Sequence, residues 1–299
     1  MSLSIPAPAT SENLRGIMAM LAAMGSLIVN DAFIKLAAAE LPTGQAIFLR
    51  GLFTTLLCAG LAAATTGLSS LRQMGARGIP ARATAEVVCT IFYLNALFNM
   101  PIADATAILQ FTPLAITAGA ALFLGAPVGW RRWLATIVGL AGVLIIVRPF
   151  GEGFNPYAML ALAAVAFVAT RDLLVRRVSP SVPALVIATA SAAAVTVAGL
   201  GFTAFETWRP PSSNALLMLV GASLALVGGY YWIVVAMRSG DVAVVAPFRY
   251  SIILYAVLAG FIVWGEMPDA ASWIGIAIVV AAGLYTFMRE RKLARTARA

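Results

Sequence analysis

Ala246-Pro247-Phe248-Arg249-Tyr250 is the stretch of this chain whose residue types and spacing could do chemistry. It lies inside an apolar run from Val242 to Trp264, and about 20 such residues suffice to cross a bilayer. Proline lacks the N–H that the helix needs and clashes with the preceding turn, so Pro247 predicts a kink or break. Backbone groups freed in lipid survive only where protein or a water-filled cavity meets them. A guanidinium at that depth costs about 2.5–3.5 kcal/mol on insertion scales, so Arg249 marks a functional interior by default. Its fork of donors suits a carboxylate or phosphate. The alternative is a packing kink whose arginine pairs with a helical carboxylate.

A second interruption, Gln110-Phe111-Thr112-Pro113, occupies a comparable apolar run. Pro113 stands 12 residues before Gly125 and Pro247 stands 18 before Gly265 (125 − 113 and 265 − 247), so the interruptions correspond without strict register. Lys35, Arg50 and Arg171 are the other basic residues read as lying within the membrane and not at its cytoplasmic edge; the intramembrane acids are Asp31, Glu86 and Asp172. Lys35 and Arg171 stand near run ends, where long side chains snorkel. Asp31 and Lys35 are spaced i, i+4 and could pair along one helix; the acids could instead partner buried arginines or couple transport to protons. Asp104 and Asp241 open their runs, where an acid complements the helix dipole. Tyr93, Phe111, Tyr230, Tyr231, Trp232, Phe248 and Tyr250 could line a cavity or simply pack. Asn95 and Asn99 could bind substrate or glue helices together.

The elements that must position these residues are membrane helices. Of 299 residues, 62% are hydrophobic and 11% charged, against about 45–50% and 25% in soluble domains; mean hydropathy is +0.94. There are ten apolar runs, at 14–38, 43–66, 83–99, 102–124, 130–147, 156–178, 183–205, 213–237, 242–264 and 271–288. The first is too long and polar for a signal-peptide core and reads as a retained span. The net charge of +8 resides in the connections and tail, which speaks against a nucleic-acid partner. With no His, and with Cys58 and Cys89 inside apolar runs, neither a metal site nor a disulfide framework is expected. Fourteen Lys and Arg fall on one side, from Arg15 to Arg298, and two, Arg148 and Arg209, on the other with acids such as Glu152. That asymmetry predicts two cytoplasmic termini.

The halves repeat. Asn30-Asp31 to Lys35 answers to Arg171-Asp172 to Arg176, and Met100 to Asp104 answers to Met237 to Asp241. Leu124-Gly125 with Trp133 answers to Trp264-Gly265 with Trp273. The reading is an all-α membrane protein of ten transmembrane helices in two inverted five-helix repeats, residues 1–148 and 149–299. Five is odd, so the second copy enters upside down. Such repeats are a recurring transporter architecture with the binding site near the midplane.

The chain resembles the ten-span EamA-type transporters of the drug/metabolite transporter superfamily. The resemblance rests on Asp31 to Lys35 with Pro42 and Gln45, on Phe48-Leu49-Arg50-Gly51, and on Trp130 to Leu134 with Gly139 to Val143. It rests further on Val245 to Tyr250 and on Gly265-Glu266-Met267-Pro268-Asp269. Ala126-Pro127 stands where many first repeats carry Gly-Glu. The resemblance implies a 5+5 carrier with a central cavity, in a superfamily that moves amino acids, nucleotide sugars, amines and organic acids and in which dimers occur.

The sequence thus predicts a secondary carrier of a small carboxylate-bearing metabolite in a bacterial inner membrane, without cofactor or catalytic residues. The substrate contacts are Arg249, Tyr250, Phe248, Gln110, Phe111, Tyr93, Asn95, Tyr230 and Trp232. Asp31, Lys35, Arg50, Glu86, Arg171 and Asp172 gate or couple, with a proton or another ion as coupling partner, and Pro113 and Pro247 supply the helix breaks. A cationic or zwitterionic substrate such as S-adenosylmethionine or an amine is the alternative. An intramembrane enzyme would need paired carboxylates or a metal, and a channel would show large uncoupled currents. No phosphate-cradling loop ending in Gly-Lys-Ser/Thr is present for an ATP-driven pump.

Overall fold

The structure, a computed structural model, describes residues 10–149, 154–239 and 241–296. Glu152 and Arg298 of the charge asymmetry lie outside them. No strand occurs among the described residues. Ten helical segments are long and apolar enough to span a membrane. Numbered in chain order, spans 1 to 5 are Ser11–Ala37, Thr43–Thr66, Ile79–Asn99, Ile102–Leu124 and Trp130–Val147. Spans 6 to 10 are Pro156–Arg177, Ala184–Thr203, Ser213–Arg238, Ala246–Trp264 and Ala270–Arg289. The protein is a multi-pass membrane protein. An even number of crossings puts both ends of the described chain on one face, here the terminal face; the other is the far face.

Two spans are interrupted. In span 4 one helix ends at Leu109 and another begins at Thr112. Pro113 has no N–H to offer the Leu109 carbonyl four residues back. The Thr112 hydroxyl donates to that carbonyl at 2.6 Å, so the break leaves no orphan there. In span 9 the chain tightens to a 3-10 turn over Ala246–Tyr250 before the helix Ser251–Trp264. Spans 4 and 9 end alike, on Gly125 at φ +64° and Gly265 at φ +66°. In each the next residue donates six residues back, Ala126 to the Ala120 carbonyl (3.1 Å) and Glu266 to the Gly260 carbonyl (3.0 Å). Each end is thus a left-handed cap, a conformation that glycine adopts without strain.

Packing obeys a pseudo-two-fold rule. Span 1 packs on span 8, and span 6, its counterpart five places on, packs on span 3. Span 2 pairs with span 7, span 5 with span 10, and span 4 with span 9, each pair being its own image. Every one of these pairings joins one half to the other. Small residues permit the closest approaches: a Cβ added at Gly142 would stand 3.0 Å from the Gly275 carbonyl, and one added at Gly275 only 2.6 Å from the Gly142 carbonyl. Helices that gain no hydrophobic drive against lipid associate through such contacts.

Candidate functional site

Two layers of polar side chains cross the interior. The first lies toward the far face, about 10 Å in at a rise of 1.5 Å per residue. Asp31 of span 1 is buried; it accepts from the Asn30 amide at 2.8 Å and from the Tyr93 hydroxyl of span 3 at 2.6 Å. Arg50 of span 2 donates through Nε to the Asn30 side-chain carbonyl at 3.2 Å. Its backbone carbonyl is gripped by the hydroxyls of Thr54 (2.9 Å) and of Ser223 on span 8 (3.1 Å). The terminal nitrogens Nη1 and Nη2 of Arg50 make no hydrogen bond among the described residues and are not sealed from solvent. Asp31, Tyr230, Glu86 and Tyr93 lie within electrostatic reach of the Arg50 guanidinium.

The second layer lies toward the terminal face. Arg171 of span 6 donates through Nη1 to both oxygens of Glu86 of span 3, at 3.0 and 3.2 Å, and through Nε to Asp172 at 2.9 Å. Arg82 stands 3.7 Å from Glu86 and donates to Ser191 of span 7 at 2.6 Å. Between the layers stands Tyr230 of span 8, in reach of Glu86, Arg171 and Arg50. It is 48% exposed. Gln110, at the break in span 4, is 5% exposed and its amide finds no hydrogen-bond partner among the described residues, so it is left for water or a ligand. It lies one turn beyond Thr106, which stands beside Tyr93.

A set of contacts, most of them between the halves, lies at the far face. Lys35 donates to the Met100 carbonyl at 2.7 Å, stands 3.7 Å from Glu266 and lies 4.9 Å from the Trp264 ring centre. The Gly44 N–H reaches both Glu206 oxygens at 3.0 Å. Gln45 exchanges two hydrogen bonds with the Arg209 backbone, at 2.6 and 3.0 Å. Arg148, a non-glycine residue at φ +49°, grips Asp269, whose carboxyl that guanidinium holds down at about 2. Ser212 donates to Glu40 at 2.5 Å.

The structure brings Asp31, Arg50, Tyr93, Glu86, Arg171, Asp172 and Tyr230 around one interior, with Gln110 beside it. Other residues named from sequence lie elsewhere. Asp31 and Lys35 do not pair with each other, because each finds a partner on another part of the fold. Asn95 donates to its own helix at Ile91 (2.8 Å). Phe111 is buried, its ring 3.3 Å from where a Cβ on Gly139 would sit. Trp232 projects roughly 200° around span 8 from Tyr230 and packs edge-on against Tyr231, 5.4 Å between centres. Tyr250 lies against Gly283 of span 10. Phe248 and Arg249 are exposed, and Arg249 has no hydrogen bond or ion pair among the described residues. Asp104 makes no cap hydrogen bond but lies in the first turn of its helix, where an acid meets the helix dipole; Ser272, Asp269 and Arg148 of the far face are near it. Sequence reasoning assigned Arg82 to a loop, although its i, i+4 spacing to Glu86 could have signalled the pair.

Comparison with known proteins agrees with this architecture. The sequence profile of the EamA-like transporter family matches twice, over residues 14–148 and 155–288. The chain is 30% identical to a riboflavin transporter of Vibrio cholerae over 67% of each chain. It is 29% identical to an S-adenosylmethionine uptake transporter of Rickettsia conorii over 64% of this chain and 65% of that one. It is 28% identical to the pseudopaline exporter CntI of Pseudomonas aeruginosa over 89% of this chain and 94% of that one. One solved crystal structure shares the fold, with a TM-score of 0.60 and 22% identity over 92% of this chain and 98% of that chain. Two matched copies covering nearly all of the described chain, and relatives that are transporters, place this chain in the EamA-like transporter family.

Proposed function

We propose that this protein is a secondary transporter of a small amphipathic metabolite bearing a carboxylate, working by alternating access between its two halves. The observation that carries the reading is Arg50. A guanidinium about 10 Å inside the membrane with two unpaired terminal nitrogens is a costly arrangement for a scaffold and a ready one for a carboxylate, which it can bind through two parallel bonds. Gln110 offers a neutral polar contact and the Tyr93 and Tyr230 rings an apolar one. Arg249, also without a partner, is the first contact for an anion entering from the terminal face. The ties of the far face make this conformer the one open to the terminal side, and the repeat supplies its mirror state. The charge asymmetry orients that terminal side to the cytoplasm of a bacterial inner membrane.

A zwitterion or cation is the second reading. Asp172 and Glu86 in the second layer favour it, as do relatives named for S-adenosylmethionine uptake. The test is counterflow in proteoliposomes of purified protein, with labelled L-methionine, L-phenylalanine, riboflavin and S-adenosylmethionine. Exchange of a carboxylate-bearing compound that is lost in Arg50→Ala and weakened in Arg249→Ala supports the first reading. Exchange that survives Arg50→Ala but fails in Asp172→Asn supports the second. No exchange of any compound overturns both.

A further inference from the structure

We propose that Asp31 and Arg50 are a coupling pair through which one proton crosses with each carboxylate substrate. The inference rests on the transport reading above and goes beyond it to the driving force.

The argument is one of charge. The ionic groups of the two layers are Asp31, Glu86 and Asp172 against Arg50, Arg82 and Arg171, three of each sign and formally neutral. Glu86, Asp172 and Arg171 satisfy one another directly, and Arg82 completes that set. Asp31 and Arg50 do not touch. Both bond to Asn30, one to its amide nitrogen and the other to its carbonyl oxygen, so they attract each other through space across one neutral residue without a direct ion pair. The free Arg50 nitrogens are the place at which a second carboxylate competes with Asp31 for that charge.

A substrate carboxylate on Arg50 brings one uncompensated negative charge into the interior. Like charges that share a low-dielectric site cannot both stay ionised, and the one with the weaker support takes a proton. Asp31 is that group. Its supports are the Tyr93 hydroxyl from span 3 and the Asn30 amide from its own helix, both neutral, with Arg50 from span 2 its charged neighbour. No carboxylate or cation of spans 8 and 9, which also pack on span 1, stands among the electrostatic neighbours of Asp31; Tyr230 of span 8 is in reach of Arg50. Lys35, one turn along, is committed to Met100 and Glu266. The balance is then simple: an aqueous proton adds to an Asp31 oxygen as the carboxylate docks on Arg50. The loaded interior is neutral again, and both leave when the carrier opens on the other side. An anion would cross with no net charge movement.

The experiment uses the same proteoliposomes with an imposed pH gradient, alkaline inside, and the labelled 2-oxo acid analogues of methionine and phenylalanine, which carry a carboxylate and no ammonium group. In the wild type the gradient should drive their accumulation several-fold above the level in protein-free liposomes. In Asp31→Asn, which is permanently neutral, exchange should lose its pH dependence and the gradient should drive no accumulation. Tyr93→Phe removes one support of the ionised form; it should leave coupling intact and shift the pH profile of uptake upward. That variant reports on Asp31 even if Asp31→Asn does not fold. Full gradient-driven accumulation by folded Asp31→Asn, or an unshifted profile in Tyr93→Phe, overturns the proposal while leaving the transport reading standing. Absence of all exchange in the wild type overturns both.

Discussion

Arg50 and Arg148 show how differently one residue type is used at two depths. Arg50 is held by neutral groups with its terminal nitrogens free, and Arg148 is spent on Asp269 at the far surface. Charge-assisted hydrogen bonds contribute about 1.5–3 kcal/mol, so Arg50→Ala should lower substrate affinity roughly 10- to 100-fold. Arg50→Lys should recover only part of that, since an ammonium lacks the fork. Affinity from thermal shifts across a ligand titration checks both. The Arg148–Asp269 tie has a pH signature. Asp269 is held at about 2 in the fold, below the ordinary value near 4. Its contribution is therefore complete above about pH 4 and disappears as pH falls toward 2. Melting temperature should fall through that window in the wild type, and the part due to this pair should be missing in Asp269→Asn. The pair is exposed, so the effect is small.

At the scale of elements, the broken spans are held by their neighbours. A Cβ on Gly283 of span 10 would stand 1.6 Å from the Tyr250 hydroxyl oxygen, so the turn of span 9 is seated against a surface that only glycine provides. Gly283→Ala should destabilise the protein by about 1–3 kcal/mol through overpacking. Tyr250→Leu in the same chain should recover much of the loss, and melting of the single and double variants decides the matter. In span 4 the Thr112 hydroxyl meets the Leu109 carbonyl that Pro113 leaves open. Thr112→Val should cost about 1–3 kcal/mol, the penalty of a buried unsatisfied acceptor, whereas Thr112→Ser should cost much less.

For the whole molecule, the pairings of span 1 with span 8 and of span 6 with span 3 make each half a cradle for the other. Of the far-face ties, Glu40 to Ser212 and Gln45 to Arg209 join loops or helix ends across that seam. If the halves rock, these contacts must part. A Glu40→Cys/Ser212→Cys protein, with Cys58 and Cys89 replaced, should stop exchanging substrate when a short thiol-reactive bridge is added. Each single-cysteine protein should be unaffected, and unchanged exchange in the bridged double variant would count against rocking at this seam.

Composition and the spacing of apolar runs were enough to determine the class and the ten spans, and motifs such as Val245 to Tyr250 carried the resemblance to a transporter family. Each of these is a local property: lipid requires an unbroken apolar helix of set length wherever the chain crosses. Even the matching ends of spans 4 and 9 were written in Gly125 and Gly265, since the left-handed cap is a one-residue requirement. The partners of the buried charges were not local. Lys35 is one turn from Asp31, yet its amine goes to the Met100 carbonyl, one of the groups that a helix end leaves unpaired. Asp31 meanwhile turns to Tyr93 of span 3. Arg171 finds Glu86, 85 residues earlier in the chain. Only the packing of one half against the other brings such groups within reach, and only there does a charge that is costly in lipid find its counterpart. The tertiary structure thus decided which buried arginine keeps its terminal nitrogens unpaired among the described residues, because that depends on what every other helix leaves unpaired.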